Sequence, residues 1–481
     1  TGMATRPKRI SFSLIVFLIA LVIRLVPVIA ARELTIGLDD MFQYDMLGRS
    51  LAAGNGYRWY AEDDLALVEK YLPLDFIYED YDPTGVPATF RPPGYPMFLA
   101  VIYRLFGLEN RFFITRLVQA IILAALAPMT YALSRRLFPH RERTAQISSL
   151  IIACYPFLIV YPLALATEVT FIPLTLGAAL ALLRAGETRR WGDFLLDGVL
   201  LGAAALTRSV ILGLLPFLLL WVWFAVKDRK GALIVLASVL VLTVPWMVRN
   251  TRLHGELTLI ENAMGYTLYM GYHPETEGRF EFGPSLDLVP YLDDAQRNEI
   301  GMEKALGFIR QAPERVPVLM LRKLGYFFGL ERRALTYFYS NDFFGYIPQP
   351  WFTMVFALFM LPFMVITCGA VLSLPVLKWN KTQVLAAIFI FGYLAPHLLL
   401  LSEPRFHLAL VPFFAVYAAH VWVQRRAILA ASASPKRHWK LALAVGLVAL
   451  LVFNWGFELW SDAEAMKLLF GPEGNQTYFP Y

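Results

Sequence analysis

Asp39 and Asp40 form an acidic pair a few residues beyond an apolar run, and Arg91 stands just before Pro92-Pro93. A carboxylate in such a place can take a proton from a hydroxyl acceptor. It can equally open a solvated loop or cap a helix. Two adjacent acids also suggest a metal site, but no His or Cys lies near them, and an oxygen-only site is weakly specified. The metal ligands therefore stay unassigned. Proline fixes the backbone, so Pro92-Pro93 can hold the Arg91 guanidinium in place. An arginine held beneath a polar loop suits phosphate; its plain alternative is a surface arginine whose stem lies along lipid.

A second group is Glu403-Pro404-Arg405-Phe406-His407, between two apolar runs. It offers a cation and a hydrogen-bond donor for an anion, with Glu403 free to orient one of them; the plain reading is a helix-end ion pair. Glu168 either pairs with an arginine or lines a cavity, because an unpaired acid at membrane depth is expensive. Arg208 and Arg249 add positive charge. Asn262 can bind a polar headgroup or cap a turn.

These residues need elements to position them. The chain has 481 residues, 58% hydrophobic and 17% charged, with mean hydropathy +0.53. A soluble protein of this size carries more charge. Many apolar runs of spanning length mark an all-α polytopic membrane protein, since they are longer than barrel strands and lack strict alternation. The net charge of +6 lies in short loops, where it marks the cytoplasmic side and anionic lipid and does not point to nucleic acid. Cys154 and Cys368 both fall in apolar runs and read as small buried or lipid-facing side chains, not as a disulfide framework.

Arg6, Lys8 and Arg9 precede the first run, 10–29, which reads as a retained helix starting inside. That puts the loop 31–111 outside. Within it, 41–53 has the spacing of a short surface helix ended by Gly54-Asn55-Gly56, and 92–106 predicts another stopped by Gly107. Spans follow at 112–133, 147–161 and 163–183, the last two joined at Pro162. Two shorter helices in 194–224 meet near Thr207-Arg208-Ser209, and 232–248 crosses outward. A second outer loop, 250–314, carries a helix at 294–310. Further spans are 352–372, 384–401, 408–423 and 439–457. Charge parity requires 314–350 to be re-entrant, interfacial or a hairpin. The total is about eleven transmembrane helices, thirteen with the hairpin, in one domain over 1–457 with a short outer tail at 458–481. Asp39, Asp40, Arg91, Glu168, Arg208, Arg249, Glu403, Arg405 and His407 then share one outer face. Several arginines there run against the usual charge bias of outer loops, which argues for an anion site.

The ordered motifs resemble the GT-C superfamily of polytopic glycosyltransferases, closest to the bacterial branch of protein O-mannosyltransferases and the aminoarabinose transferase of lipid A. The resemblance covers roughly 11–423. It rests on Gly37-Leu38-Asp39-Asp40 with Tyr44, Gly54-Asn55-Gly56-Tyr57, Arg91-Pro92-Pro93-Gly94-Tyr95-Pro96, Thr167-Glu168, Leu206-Thr207-Arg208, Pro245-Trp246-Met247-Val248-Arg249-Asn250, Asn262-Ala263-Met264-Gly265 and Glu403-Pro404-Arg405-Phe406. It implies a GT-C-like bundle with two outer loops, a polyprenyl-phosphate-linked sugar donor and inverting transfer at the extracytoplasmic face of the bacterial inner membrane. Asp39, with Asp40, becomes the candidate base. Arg91, Arg405 and His407 become candidate ligands of the donor phosphate, supported by Tyr44, Tyr57, Glu168, Arg208, Arg249, Asn262 and Glu403. The acidic pair departs from the more usual Asp-Glu, and the loop between Tyr57 and Arg91 is long for the family. The expected acceptor is a lipid or glycan precursor in preference to a protein. No cofactor is expected to be required, though distant relatives that use a metal leave a divalent ion open.

No phosphate-binding glycine loop, dinucleotide fingerprint, zinc-protease motif or Gly-flanked nucleophilic serine is present. The alternatives are a transporter or flippase of a lipid-linked saccharide, an oligosaccharide polymerase or ligase, and a non-enzymatic scaffold. A transporter would share the arginines but needs no acid, and transporters often show internal repeats, which are not evident here.

Overall fold

The computed structural model describes residues 11–37, 39–69, 81–332, 335, 347–431 and 435–471. The first membrane helix, Phe12–Ala30, is capped by Ser11 and buries Val16, Ala20, Arg24 and Val28. Arg24 is fully buried, and its two Nη groups donate to the carbonyls of Ala153 (3.0 Å) and Ile152 (3.0 Å), while its Nε has no partner among the described residues. Those carbonyls stand at the C-terminal end of the helix Glu142–Ala153, where the last carbonyls of a helix lack intrahelical donors.

That helix end is where the sequence expectation shifts. The spans expected at 147–161 and 163–183 are instead Glu142–Ala153 bent by 53° into Pro156–Leu163, followed by Glu168–Thr188. The break falls before Pro156 because Tyr155, the preceding residue, is pushed to an extended conformation (φ −69°, ψ 117°). Glu168 thus becomes the first residue of a membrane helix.

Nine helices are long and apolar enough to cross a membrane, or up to ten if the bent pair is one span, among the described residues. The expected count of eleven to thirteen included two further pieces. One is Trp191–Thr207, which has 17 residues, carries Asp193 and Asp197, and packs between Glu168–Thr188 and Arg229–His254. The other is the 314–350 stretch. Its described part, Arg315–Phe327, has 13 residues; at 1.5 Å per residue that is about 20 Å, too short for a hydrocarbon core of about 30 Å. The rest of the expected hairpin lies largely outside the described residues, as do the tail residues 472–481.

The two polar loops pack on one end of this bundle. In the first, Asp40–Ala53 is closed by Gly54 in the left-handed conformation (φ 86°), and Gly94–Phe106 ends at Gly107 (φ 79°). Between them Arg58–Trp59 pairs antiparallel with Val86–Pro87. In the second, Met264–Tyr272 and Asp294–Gln311 lie against each other so closely that a Cβ at Gly265 would run into the Asn298 carbonyl. That contact accounts for the glycine in Asn262-Ala263-Met264-Gly265.

Candidate active site

The approach to Asp39 is held from below. Arg116, fully buried, donates to the carbonyls of Leu34 (2.5 Å), Thr35 (3.1 Å) and Leu163 (2.9 Å), tying the segment before Asp39 to the turn before Glu168. Gln119, one turn along, donates to Pro162 (2.8 Å) and Ala164 (3.0 Å) and accepts from the Tyr95 hydroxyl (2.6 Å). Asp39 then caps the helix Asp40–Ala53, accepting from the Met41 amide at 2.8 Å.

Arg91 is held on its backbone side by both loops. The Tyr57 hydroxyl donates to the Arg91 carbonyl (2.8 Å) and the Pro92 carbonyl (3.1 Å). Asp294 Oδ2 accepts from the amides of Thr89 (2.6 Å) and Phe90 (2.9 Å). The guanidinium points the other way, donating from Nε to Gln43 Oε1 (2.8 Å) and from Nη2 to Asp40. It also lies 5.4 Å from the centroid of the Tyr44 ring. Gln43 lies three residues beyond Asp40 on one helix face, so both acceptors meet one arginine.

Asp40 is shared. Its second oxygen accepts from Arg405 Nη2 at 2.9 Å. Arg405 Nε is 4.0 Å from Glu168 Oε1, which accepts from Arg208 Nη1 at 2.6 Å. The result is a row, Arg91–Asp40–Arg405–Glu168–Arg208, with three cations and two anions. Arg208 stands at the hinge between two helices, in extended conformation (φ −148°), and faces the Phe406 ring at 4.8 Å. Arg405 keeps 43% of its side-chain surface exposed and Asp40 32%, so the row is open to a ligand.

The two acids titrate apart. Burial raises the Asp39 carboxyl, Asp40 beside it adds to this, and the Met41 amide and Arg405 only partly oppose them; the result is about 6. Burial would raise Asp40 as well, but Arg91 and Arg405 outweigh it and hold that carboxyl well below the usual carboxylate range. Such a divergence between neighbours separates a proton acceptor from a fixed charge.

Other expected residues sit elsewhere. His407 is fully buried, stacked on Phe363 (3.6 Å) with Nδ1 3.1 Å from the Phe327 carbonyl, so it packs beneath the turn that carries Arg405. Glu403 accepts from the Phe280 amide (2.8 Å), tying the second loop to that turn. Arg249 donates to the carbonyls of Ala88 (2.7 Å) and Tyr57 (3.3 Å). Asn262 donates to Thr89 Oγ1 (3.2 Å). These last two brace the backbone that presents Arg91. Gln43, Asp294 and Arg116 escaped the sequence reading. Gln43 had a signal, its helical spacing from Asp40; Asp294 lies 205 residues from its partner Thr89 and had none.

A metal would need more than this neighbourhood offers. Among the described residues no group of three or more His, Cys, Asp or Glu is placed to hold an ion, and both oxygens of Asp40 already accept from arginine. No step is therefore routed through a metal.

Residues 90–248 match the family described as dolichyl-phosphate-mannose-protein mannosyltransferase. They contain Arg91, Glu168 and Arg208. No curated protein matches the chain in sequence. Among solved structures, an oligosaccharyltransferase from Archaeoglobus fulgidus in complex with an inhibitory peptide and a dolichol-phosphate is 16% identical, with 97% of this chain and 56% of that one covered and a TM-score of 0.49. The same archaeal enzyme in complex with Zn and sulfate is 15% identical, with 98% and 59% covered and a TM-score of 0.48. ArnT from Cupriavidus metallidurans bound to undecaprenyl phosphate is 16% identical, with 87% and 78% covered and a TM-score of 0.39. The chain thus spans somewhat over half the length of the archaeal enzyme.

Proposed function

We propose that this polytopic GT-C-type membrane protein, related through residues 90–248 to the dolichyl-phosphate-mannose-protein mannosyltransferases, transfers a single sugar from a polyprenyl-phosphate donor to a hydroxyl acceptor. The acceptor is a lipid or glycan precursor, and the reaction takes place at the extracytoplasmic face. The observation that carries this is Asp40 bridging Arg91 and Arg405 beside an Asp39 of raised pKa.

The donor's phosphate occupies the open side of Arg91 and Arg405. Asp40 balances the two guanidinium groups and sets their separation before the donor arrives. As the anomeric C–O bond breaks, its electron pair passes to the phosphate oxygen, and charge grows where two fixed cations already point. Such cations stabilise the transition state more than the ground state. Asp39 takes the acceptor's proton as the acceptor oxygen bonds to the anomeric carbon. A pKa of about 6 leaves Asp39 ionised at neutral pH and still basic enough to act. One displacement inverts the anomeric centre.

The decisive experiment is transfer of radiolabelled sugar from polyprenyl-phosphate donors into a membrane lipid extract, with Asp39→Asn beside the unaltered protein. A labelled glycolipid formed only by the unaltered protein supports the reading. Equal turnover in both removes Asp39 from the mechanism.

A further inference from the structure

Glu331 is a buried carboxyl that the reaction above does not use. It is 4% exposed. The Tyr161 hydroxyl donates to its Oε1. Its Oε2 is buried and has no hydrogen-bond partner among the described residues. An orphaned buried oxygen is costly and asks for a partner.

Its backbone is rigidly placed. The amide of Leu330 donates to Glu458 Oε2 at 2.9 Å, and Arg332 Nε donates to Glu458 Oε1 at 3.1 Å while its Nη2 reaches Asp462. Trp455 Nε1 donates to the Phe328 carbonyl at 2.7 Å, and Asn454 to Gly325 at 3.0 Å. The final membrane helix therefore clamps the turn on both sides of Glu331 and leaves its side chain directed at Tyr161.

The surroundings define its charge state. Tyr161 hydrogen-bonds to it, and the Glu168 carboxylate and the Arg405 guanidinium act on it from neighbouring elements. Glu331 makes no ion pair among the described residues, whereas Arg405 is engaged by Asp40 and lies near Glu168. A buried carboxyl without a paired cation is favoured as the neutral acid. Burial, with Glu168 adding to it, lifts this group to about 8 against the pull of Tyr161 and Arg405. The neutral acid has one O–H to donate, and the Arg405 guanidinium acts on the group.

We infer that Glu331 is a further binding residue for the donor phosphate: a neutral carboxylic acid that donates a hydrogen bond to a phosphate oxygen drawn in by Arg405. This rests on the proposed donor. An anionic oxygen is the acceptor an orphaned acid at this place can best use, and such charge-assisted bonds are the strong ones. Deprotonated, the same group would set a carboxylate against a phosphate.

The test is binding of undecaprenyl-phosphate glucose to the full-length protein in lipid nanodiscs, followed against pH. This phosphodiester keeps one charge through the range, so any change belongs to the protein. Affinity should fall by roughly tenfold between about pH 7 and about pH 9 as Glu331 loses its proton. E331Q should bind more weakly near neutral pH, because an amide is the weaker donor, and should lose the alkaline decline. Y161F removes a bond that favours the ionised form, so its decline should move to higher pH; it also keeps the question answerable if E331Q does not fold. Lys323 is the rival titrating group, buried with its ammonium lowered to about 7. A decline that persists in E331Q and stays in place in Y161F overturns the inference while leaving the donor reading intact. No binding by the unaltered protein at any pH removes the donor reading, and this inference with it.

Discussion

Arg405 Nη2 lies 2.9 Å from Asp40 Oδ2, although 365 residues separate them. The bond closes the site: Asp40 belongs to the first polar loop and Arg405 to the turn before a late membrane helix. Because Asp40 also engages Arg91, the two arginines are coupled through one carboxylate. Removing Asp40 and Arg405 should therefore be non-additive. In a double-mutant cycle with Asp40→Asn and Arg405→Gln, a coupling of about 1–3 kcal/mol in transition-state stabilisation is expected. Simple additivity in kcat/KM would show that the two do not act together.

Asp39 predicts the acid limb of the pH profile. Its carboxyl must be ionised to accept a proton, and its folded pKa is raised to about 6. Transfer should therefore rise as pH increases through about 6, not through the lower range of an ordinary aspartate. Asp40→Asn removes the neighbouring negative charge that helps raise Asp39, so the limb should move toward lower pH in that variant. Rates measured from pH 4.5 to pH 8, roughly the span that brackets a carboxylate so shifted, decide the matter; a limb unmoved by Asp40→Asn would count against Asp39 as its source.

Arg91 and Arg249 should fail in different ways. Arg91 aims its guanidinium at Asp40 and the open site, whereas Arg249 is spent on the carbonyls of Ala88 and Tyr57. Arg91→Ala should weaken donor binding strongly at little cost to the fold. Arg249→Ala leaves buried carbonyls short of a charged donor and should lower stability by about 1–3 kcal/mol. A thermal-shift assay beside a donor-binding assay separates the two. Equal loss of binding at unchanged melting temperature would place Arg249 on the ligand instead.

Both outcomes bear on how far the chain explains itself from its residues. The all-α bundle was legible because membrane helices are written in composition and length. Arg91, Glu168, Arg208 and Arg405 were legible as a group because basic loops reveal which ends face the same way. Contacts that depend on long-range packing were not. Nothing local in Asp294 announces that it holds the amides of Thr89 and Phe90, and nothing in Glu331 announces Tyr161, 170 residues away. His407 illustrates the converse. Its place beside Arg405 in sequence suggested a phosphate contact, but in the turn Pro404–Leu410 the side chain points inward and stacks on Phe363. The break at Tyr155 had a visible signal in Pro156, yet the apolar run continues through it, and hydropathy registers composition without backbone conformation.

A metal-free reaction is a further expectation. Asp40 already has both oxygens engaged by arginine, and Asp39 has one oxygen accepting from Met41. In the proposed mechanism, the positive charge that a divalent ion supplies to a leaving phosphate comes from Arg91 and Arg405. Transfer should continue after exhaustive dialysis against EDTA, with no more than about a twofold change in rate, well below what losing a charge-stabilising group costs. Loss of activity restored by added divalent metal would overturn it.

Gly94 tests whether the site depends on how closely the loop is seated. It begins the helix that follows Arg91-Pro92-Pro93, and it lies against the hinge before Arg208. A Cβ there would fall 2.7 Å from Thr207 Oγ1 and 2.8 Å from the Leu206 carbonyl oxygen. The carbonyl belongs to the last turn of a helix packed between two membrane helices and cannot swing aside as a flexible side chain would. Gly94→Ala must therefore push the Arg91 loop away from Arg208, at a cost of about 1–3 kcal/mol for overpacking. The displacement carries Arg91 away from Arg405, so the rate should fall at least tenfold, since misplacing a binding group by about 1 Å can cost on the order of a hundredfold. Gly107→Ala is the control. Its Cβ would meet nothing within 4 Å, although its φ of 79° brings local strain. It should lower stability through that strain while leaving turnover near that of the unaltered protein. Matched losses of activity in the two variants would mean that backbone strain, and not the seating of Arg91 against Arg208, governs the rate.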